Sequence, residues 1–215
     1  MTVIALDGPA GSGKSTIARL VAQRLGCEVL DTGAMYRGVT WAVLQAGVDP
    51  TCSEEATAIA ERISVEVGGG LTKVDGVDVS DAIRGPAVSA AVSAVSAHPG
   101  VRNVLRDLQR AWMATHGGGV VEGRDIGTVV FPDADLKVFL TASIEVRARR
   151  RGLEGHLSED EASRNIEARD LADSSRADSP LQEAGDSVVV DTSDLSINEV
   201  VDTIVRLNSK PEGNR

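Results

Sequence analysis

Residues 3–16 read Val-Ile-Ala-Leu-Asp-Gly-Pro-Ala-Gly-Ser-Gly-Lys-Ser-Thr: a short apolar run enters a glycine-rich loop, which opens into a segment with helical spacing. No other stretch restricts the fold as much. Glycines 8, 11 and 13 let the backbone turn tightly and aim several N–H groups at one point. The helix that begins near Lys14 adds the partial positive charge of its N-terminus, so the loop is suited to phosphate. Gly8-x-x-x-x-Gly13-Lys14-Ser15 in this strand–loop–helix setting is a P-loop. Gly8, Pro9, Ala10, Gly11, Ser12 and Gly13 are expected to cradle the phosphates of ATP together with Lys14, Ser15 and Thr16. Lys14 would reach the β- and γ-phosphates, and the Ser15 hydroxyl would ligate Mg²⁺. Kinases, ATPases and switches all use such a loop, so the reaction stays open at this point.

The pattern that follows is α/β. Ile17, Leu20, Val21 and Leu25 recur at helical spacing ahead of Gly26, and Cys27-Glu28-Val29-Leu30 then reads as a short strand ending in Asp31-Thr32-Gly33. Strand, helix and strand in succession open a parallel sheet. Further helices are predicted over Gly33–Gly47 and Ser53–Ile63. From Val65 the period changes to two, with Gly68-Gly69-Gly70 and Asp75-Gly76 as turns, so a small antiparallel insertion is expected over about 64–85. The Ala/Val/Ser run from Ala87 to Ala97 is either a tightly packed helix or a low-complexity linker, and its apolar content favours the helix. Val101–Met113 resumes a helix with Arg102, Arg106 and Arg110 on one face. Strands are predicted at 119–122, 136–140 and 187–190, and helices from Ser143 and over Ser196–Leu207. The polar stretch Gly152–Ser179 has few core residues and reads as a mobile, solvated segment, helical from Ser158 to about Leu171. The tail from Ser209 is expected to fray. There is no internal repeat.

Bulk properties narrow the partners. With 215 residues the chain can bury one good core, and one main domain is expected. It carries no charged-then-apolar leader and no apolar run near 18 residues in length, so a cytoplasmic protein is expected. Cys27 and Cys52 lie in no Cys-x-x-Cys pair, and idle thiols are the default reading. A formal charge of −10 and only 2% aromatic residues argue against a nucleic-acid surface. An anionic substrate must then meet a local basic cluster.

Ligands of an open parallel sheet bind beyond the carboxyl ends of its strands. Four strand ends deliver Asp7-Gly8, Asp31-Thr32-Gly33, Glu122-Gly123-Arg124-Asp125 and Asp191-Thr192. Arg37 lies just inside a helix start, Arg124 sits in a glycine-flanked turn, and Arg169, Asp173 and Arg176 would project from one side of a helix. A single arginine is usually solvated surface. Several at strand ends of an acidic chain, beside a P-loop, read as a site for a second phosphorylated molecule.

Asp31-Thr32-Gly33-Ala34-Met35-Tyr36-Arg37, the stretch Gly123-Arg124-Asp125-Ile126-Gly127-Thr128-Val129-Val130-Phe131-Pro132, and the spacing Arg169…Asp173…Arg176 closely resemble the bacterial cytidylate kinases. The resemblance runs from Val3 to about Leu207. It implies a P-loop NTPase fold: a five-stranded parallel sheet flanked by helices, with a monophosphate-binding arm at about 32–113 that includes the 64–85 insertion, and a short lid at about 147–165. It implies an ATP-dependent phosphotransferase of pyrimidine nucleotide metabolism, acting on CMP or dCMP, and a monomer. Carried over by position, it puts Thr32, Arg37, Ser93 and Arg102 around CMP, along with Glu122, Arg124, Arg169, Asp173 and Arg176. Arg37, Arg102 and Arg124 would hold the phosphate; Arg169, Asp173, Ser93 and Arg176 would meet cytosine and sugar. The family pattern has Ser where this chain has Thr32 and Asp where it has Glu122. Taken on its own, Ser93 is simply a small residue packing in an alanine-rich helix. Lys14, Arg124 and lid arginines among Arg147, Arg150 and Arg151 would neutralise the transferring group, while Asp125 would either orient Arg124 or hold a Mg²⁺-bound water.

Two other readings compete. One is a P-loop kinase for a different small acceptor, such as UMP, shikimate or dephospho-coenzyme A, and the other is a nucleotide switch without transfer chemistry. The switch would call for guanine-reading motifs such as Asn-Lys-x-Asp, which the chain lacks.

Overall fold

The computed structural model of the chain describes residues 2–155 and 158–209. Five strands form one sheet in the order β2-β6-β1-β7-β8, where β1 is Val3–Asp7, β2 Val29–Asp31, β6 Gly119–Glu122, β7 Leu136–Thr141 and β8 Val188–Asp191. β1 runs parallel to both β6 and β7, and β7 runs parallel to β8. The expected parallel α/β sheet is what the chain forms. Three further short strands, β3 (Val65–Gly68), β4 (Leu71–Val74) and β5 (Val77–Asp78), make the separate antiparallel sheet that the two glycine turns predict.

The chain divides into two compact units: Met1–Val29 with Gly117–Arg215, and Leu30–His116. In the first, helix α1 (Lys14–Leu25) lays Ile17 and Val21 on Ile4 and Leu6 of β1, and α8 (Ile197–Asn208) adds Val200, Val201 and Ile204 to the same core. Each such side chain, fully buried, contributes about 1.5–3 kcal/mol. α8 begins with a capping box, in which Ser196 Oγ accepts from the Glu199 N–H at 3.3 Å and the Glu199 carboxylate accepts from the Ser196 N–H at 2.8 Å.

The helix expected from Ser158 is present, and it is the expected scarcity of core residues in this polar stretch that the structure corrects. Helices α6 (Ile144–Gly155) and α7 (Glu159–Ser174) enclose a small core of Ala148, Ala162 and Ile166, with Ala10 and Ile144 packed against it. Ala162 and Ile166 form a stripe one turn apart in a helix rich in charged residues, and averaging over composition hides so narrow a stripe. The expected lid limits, 147–165, enclose residues 156–157, which lie outside the described residues, as does the expected frayed tail beyond Ser209.

In the second unit α2 (Thr32–Gln45) begins at Asp31, whose carboxylate accepts the Ala34 N–H at 2.9 Å. Thr32 and Gly33 therefore belong to the first helical turn rather than to the strand. α3 (Ser53–Arg62) precedes the small sheet, and a 3₁₀ turn at Ala82–Arg84 follows it. The Ala/Val/Ser run is a helix, α4 (Pro86–Ala97), with Val88, Val92 and Val95 buried and Pro86 at its first position. α5 runs from Pro99 to His116. Its three arginines do not share a face: Arg102 is 2% exposed while Arg110 lies in solvent. Eight residues along an α-helix turn through two full circles plus about 80°, which carries Arg110 round toward the outside.

Candidate active site

The P-loop closes on the carboxyl end of the sheet. Gly8 stands at φ 150°, and a Cβ there would lie 2.1 Å from the Leu140 carbonyl oxygen, so the loop can pass β7 only with glycine at this position. Within the loop the Lys14 ammonium donates to the Pro9 carbonyl at 2.7 Å and to Ser12 Oγ at 3.3 Å. Lys14 is buried, whereas Ser15 and Thr16 in the first turn of α1 are exposed. Burial, then the positive charges of Arg124 and Arg169, drives the Lys14 amine well below its ordinary range, opposed by Glu122 and Asp7. Such a cluster favours an anion among its cations.

The turn after β6 carries Arg124 and Asp125. Its Gly123 N–H donates to the Leu6 carbonyl at 3.0 Å, and the N–H groups of Ile126 and Gly127 donate to the two oxygens of Asp7 at 2.8 and 2.7 Å. Ile126–Val130 then forms a single π-helical turn, a local irregularity that sequence periodicity does not announce. Arg124 Nε donates to Asp173 Oδ2 at 2.8 Å, and Arg176 Nη2 lies 3.6 Å from Asp173 Oδ1. Burial raises the Asp173 pKa, but Arg124 and then Arg176 and Arg169 outweigh it and hold the carboxyl below the usual range. Arg124, Arg169, Asp173 and Arg176, four of the predicted residues, thus form one cluster with Lys14 nearby. Glu122 is buried at the end of β6, where it registers against Leu6.

Arg147 is held by partners that sequence reasoning missed. It pairs with Asp170 of α7, and it donates to the carbonyls of Ala10 and Ala142 at 3.0 Å each. Asp170 in turn accepts the Ala10 N–H at 3.0 Å, so Ala10 is clasped at both its donor and its acceptor. Arg150 donates to Thr192 through both Oγ1, at 2.9 Å, and the carbonyl, at 2.8 Å, and a Cβ on Gly13 would lie 3.9 Å from its Nη1. Arg151 is half buried on the same helix.

The remaining predicted residues belong to the second unit. Thr32 is buried at the start of α2. Arg37 Nη1 donates to the Ile83 carbonyl at 2.9 Å and to Ser89 Oγ at 3.1 Å, a hydroxyl the sequence did not single out. Arg102 donates to the Ser96 carbonyl at 3.1 Å, and its guanidinium carbon lies 5.5 Å from the centre of the Tyr36 ring. Ser93 is half buried in α4. Cys27 and Cys52 are free and half buried. No group of three or more His, Cys, Asp or Glu side chains able to hold a metal occurs among the described residues.

Fold and site together define a P-loop protein of the NTPase fold, with a lysine-bearing phosphate loop facing an arginine cluster. The cytidylate kinase family model matches residues 4–210. A cytidylate kinase of Desulfitobacterium hafniense (strain Y51) is 48% identical over 97% of this chain and 94% of its own length. A bifunctional pantoate ligase/cytidylate kinase of Synechococcus sp. (strain CC9605) is 50% identical over 94% of this chain, which spans 44% of that protein. The chain belongs to the cytidylate kinase family. In fold it is similar to a shikimate kinase of Bacteroides thetaiotaomicron, with a TM-score of 0.51 and 15% identity over 96% of this chain and 97% of the other. At that identity the likeness concerns architecture alone.

Proposed function

We propose that the chain transfers the γ-phosphoryl group of ATP to CMP or dCMP, releasing ADP and CDP or dCDP. The observation that carries this reading is the Arg124–Asp173–Arg176 cluster next to Lys14, in a chain whose relatives of similar length are cytidylate kinases. An oxygen of the CMP phosphate attacks the γ-phosphorus in line, the bond to the β-phosphate oxygen breaks, and ADP leaves. That oxygen is already ionised, so positioning and charge neutralisation set the rate rather than proton removal. Lys14 binds the β- and γ-oxygens, and Arg124 with Arg37 and Arg102 binds the acceptor phosphate. Arg169, Asp173, Arg176 and Ser93 meet the nucleoside, with Thr32 and Glu122 beside it. Lid arginines among Arg147, Arg150 and Arg151 close over the transferring group, and closure excludes water that would otherwise accept it.

The site suits Mg²⁺. Ser15 presents an exposed hydroxyl in the first turn of α1, and Mg²⁺ is commonly held by one or two protein oxygens, substrate phosphates and water. When bound it would neutralise charge on the β- and γ-oxygens. Asp125, which is 5% exposed and adjacent to Arg124, orients that arginine or holds a water of the ion. We take the arm to span about 32–113 and the lid about 147–165 of a single catalytic domain, acting as a monomer in the cytoplasm. No described helix is long and apolar enough to cross a membrane.

A coupled ADP-release assay with ATP and Mg²⁺ tests the reading, comparing CMP, dCMP, UMP, AMP, GMP and no acceptor. Release with CMP and dCMP that stops on chelation is the expected result. A higher kcat/KM for UMP, or release indifferent to the acceptor, would overturn it.

A further inference from the structure

Asp7 ends β1 one residue before the P-loop. Its side chain is buried, with Oδ1 accepting the Ile126 N–H and Oδ2 the Gly127 N–H, while the Leu6 carbonyl accepts from Gly123. Both ends of the 123–127 turn therefore hang on the last two residues of β1, and Arg124 and Asp125 lie between the anchors. The turn packs close on Asp7: a Cβ on Gly127 would lie in ordinary contact with Asp7 Oδ2, at 3.4 Å, and more tightly against Cδ of the Lys137 side chain, at 3.1 Å. Charged groups on the surrounding elements are Lys14, Glu122, Asp125 and Lys137.

The carboxylate is poorly placed for stability alone. Burial pushes its pKa up to about 6, Asp125 adds repulsion, and the two N–H groups with Lys14 recover only part of the loss. An uncharged residue here would burden the fold less, yet none would accept two successive N–H groups as a carboxylate does.

We propose that Asp7 is a positioning residue for phosphoryl transfer, gripping the acceptor-side turn at the root of the P-loop so that Arg124 and Lys14 are held in fixed register. Asp7 touches neither substrate and acts through the turn. The proposal rests on the CMP reading above, because it concerns the alignment of acceptor with donor.

The test is Asp7→Asn. The amide keeps one acceptor oxygen and turns an NH₂ toward the second N–H, so one anchor is lost with the shape preserved. The expected result is a fall in kcat of about 10²-fold, the scale of a 1 Å misplacement. ATP affinity should be little changed, and the melting temperature at pH 7.5 should stay the same or rise. In ¹H–¹⁵N spectra of the nucleotide-free proteins, the Ile126 and Gly127 amides should lie downfield in the wild type, and at least one should move upfield in the variant. Should Asp7→Asn fail to fold, Asp7→Ser, whose single hydroxyl oxygen cannot accept both N–H groups as the carboxylate does, is read in the same way. Wild-type kcat in the variants, or a loss of kcat that merely follows a loss of melting temperature, would overturn the proposal. Failure of the CMP reading would be seen separately, as a wild-type protein that does not use CMP, and would leave the amide shifts unaffected.

Discussion

Arg124 and Asp173 meet across 2.8 Å through the guanidinium Nε, while Nη1 of the same arginine donates to the Gly123 carbonyl at 3.3 Å. The pair joins the turn after β6 to the last part of α7, and Asp173 is shared with Arg176. Losing Arg124 leaves Asp173 with the more distant Arg176, and losing Asp173 leaves the largely buried Arg124 without its carboxylate. Arg124→Ala and Asp173→Ala should therefore be non-additive, with a coupling of about 1–3 kcal/mol in kcat/KM for CMP. A double-mutant cycle measures it, and strict additivity would mean that the pair does not act as a unit.

Lys14 donates to a carbonyl of its own loop, a partner that a polyphosphate would replace. Lys14→Ala should lower kcat by about 10³-fold or more while CMP affinity stays near the wild-type value. Steady-state kinetics with equilibrium CMP binding checks both halves.

The buried carboxylates of Asp7 and Asp173 respond to pH with opposite signs. Asp7, raised from an ordinary 3.8 to about 6, binds a proton more tightly in the folded state than in the unfolded one. Its penalty is absent below 3.8, grows as pH rises, and is complete above 6. At neutral pH it amounts to about 3 kcal/mol before the lost hydrogen bond of a variant is counted. Asp173 is lowered, so its support is present above the ordinary carboxylate value and fades as pH falls. Denaturant unfolding at several pH values should show Asp7→Asn gaining on the wild type between pH 4 and 6.5. Asp173→Asn should lose ground at neutral pH and converge with the wild type in acid.

Asp170 joins α7 to the P-loop through the Ala10 N–H and to α6 through Arg147. Charge-assisted hydrogen bonds of this kind are worth about 1.5–3 kcal/mol. Asp170→Ala should make the 144–174 region more sensitive to limited proteolysis and raise KM for ATP by about 10-fold or more. Unchanged proteolysis would show that the clasp contributes little to local order.

Much of the architecture could be read from the sequence because its signals are local. The P-loop declares itself within 14 residues, Gly68-Gly69-Gly70 and Asp75-Gly76 mark the small sheet, and the alternation in Val65–Val67 sets its period. Arg124 at a strand end and the Arg169, Asp173 and Arg176 set were legible as a site for a second phosphorylated molecule, but their pairing was not, since no spacing brings residues 49 positions apart together. The contacts that escaped notice are the long-range ones. Asp7 and Ile126 are 119 residues apart and Ala10 and Asp170 are 160 apart, and no periodicity links such positions. The buried face of α7 escaped for a different reason, because nothing in the helix's own sequence marks Ala162 and Ile166, rather than Leu171, as the pair that a neighbouring helix covers.

Asp170 and Asp173 lie one turn apart on α7, one bound to the phosphate loop and the other to Arg124, and Leu171 between them is 70% exposed. That gives a place to listen. A fluorophore on a cysteine introduced at 171 would sit in solvent on a helical turn whose neighbours contact the phosphate loop and Arg124. Its signal would follow donor and acceptor alike, turning one helix into a readout of the whole catalytic cycle.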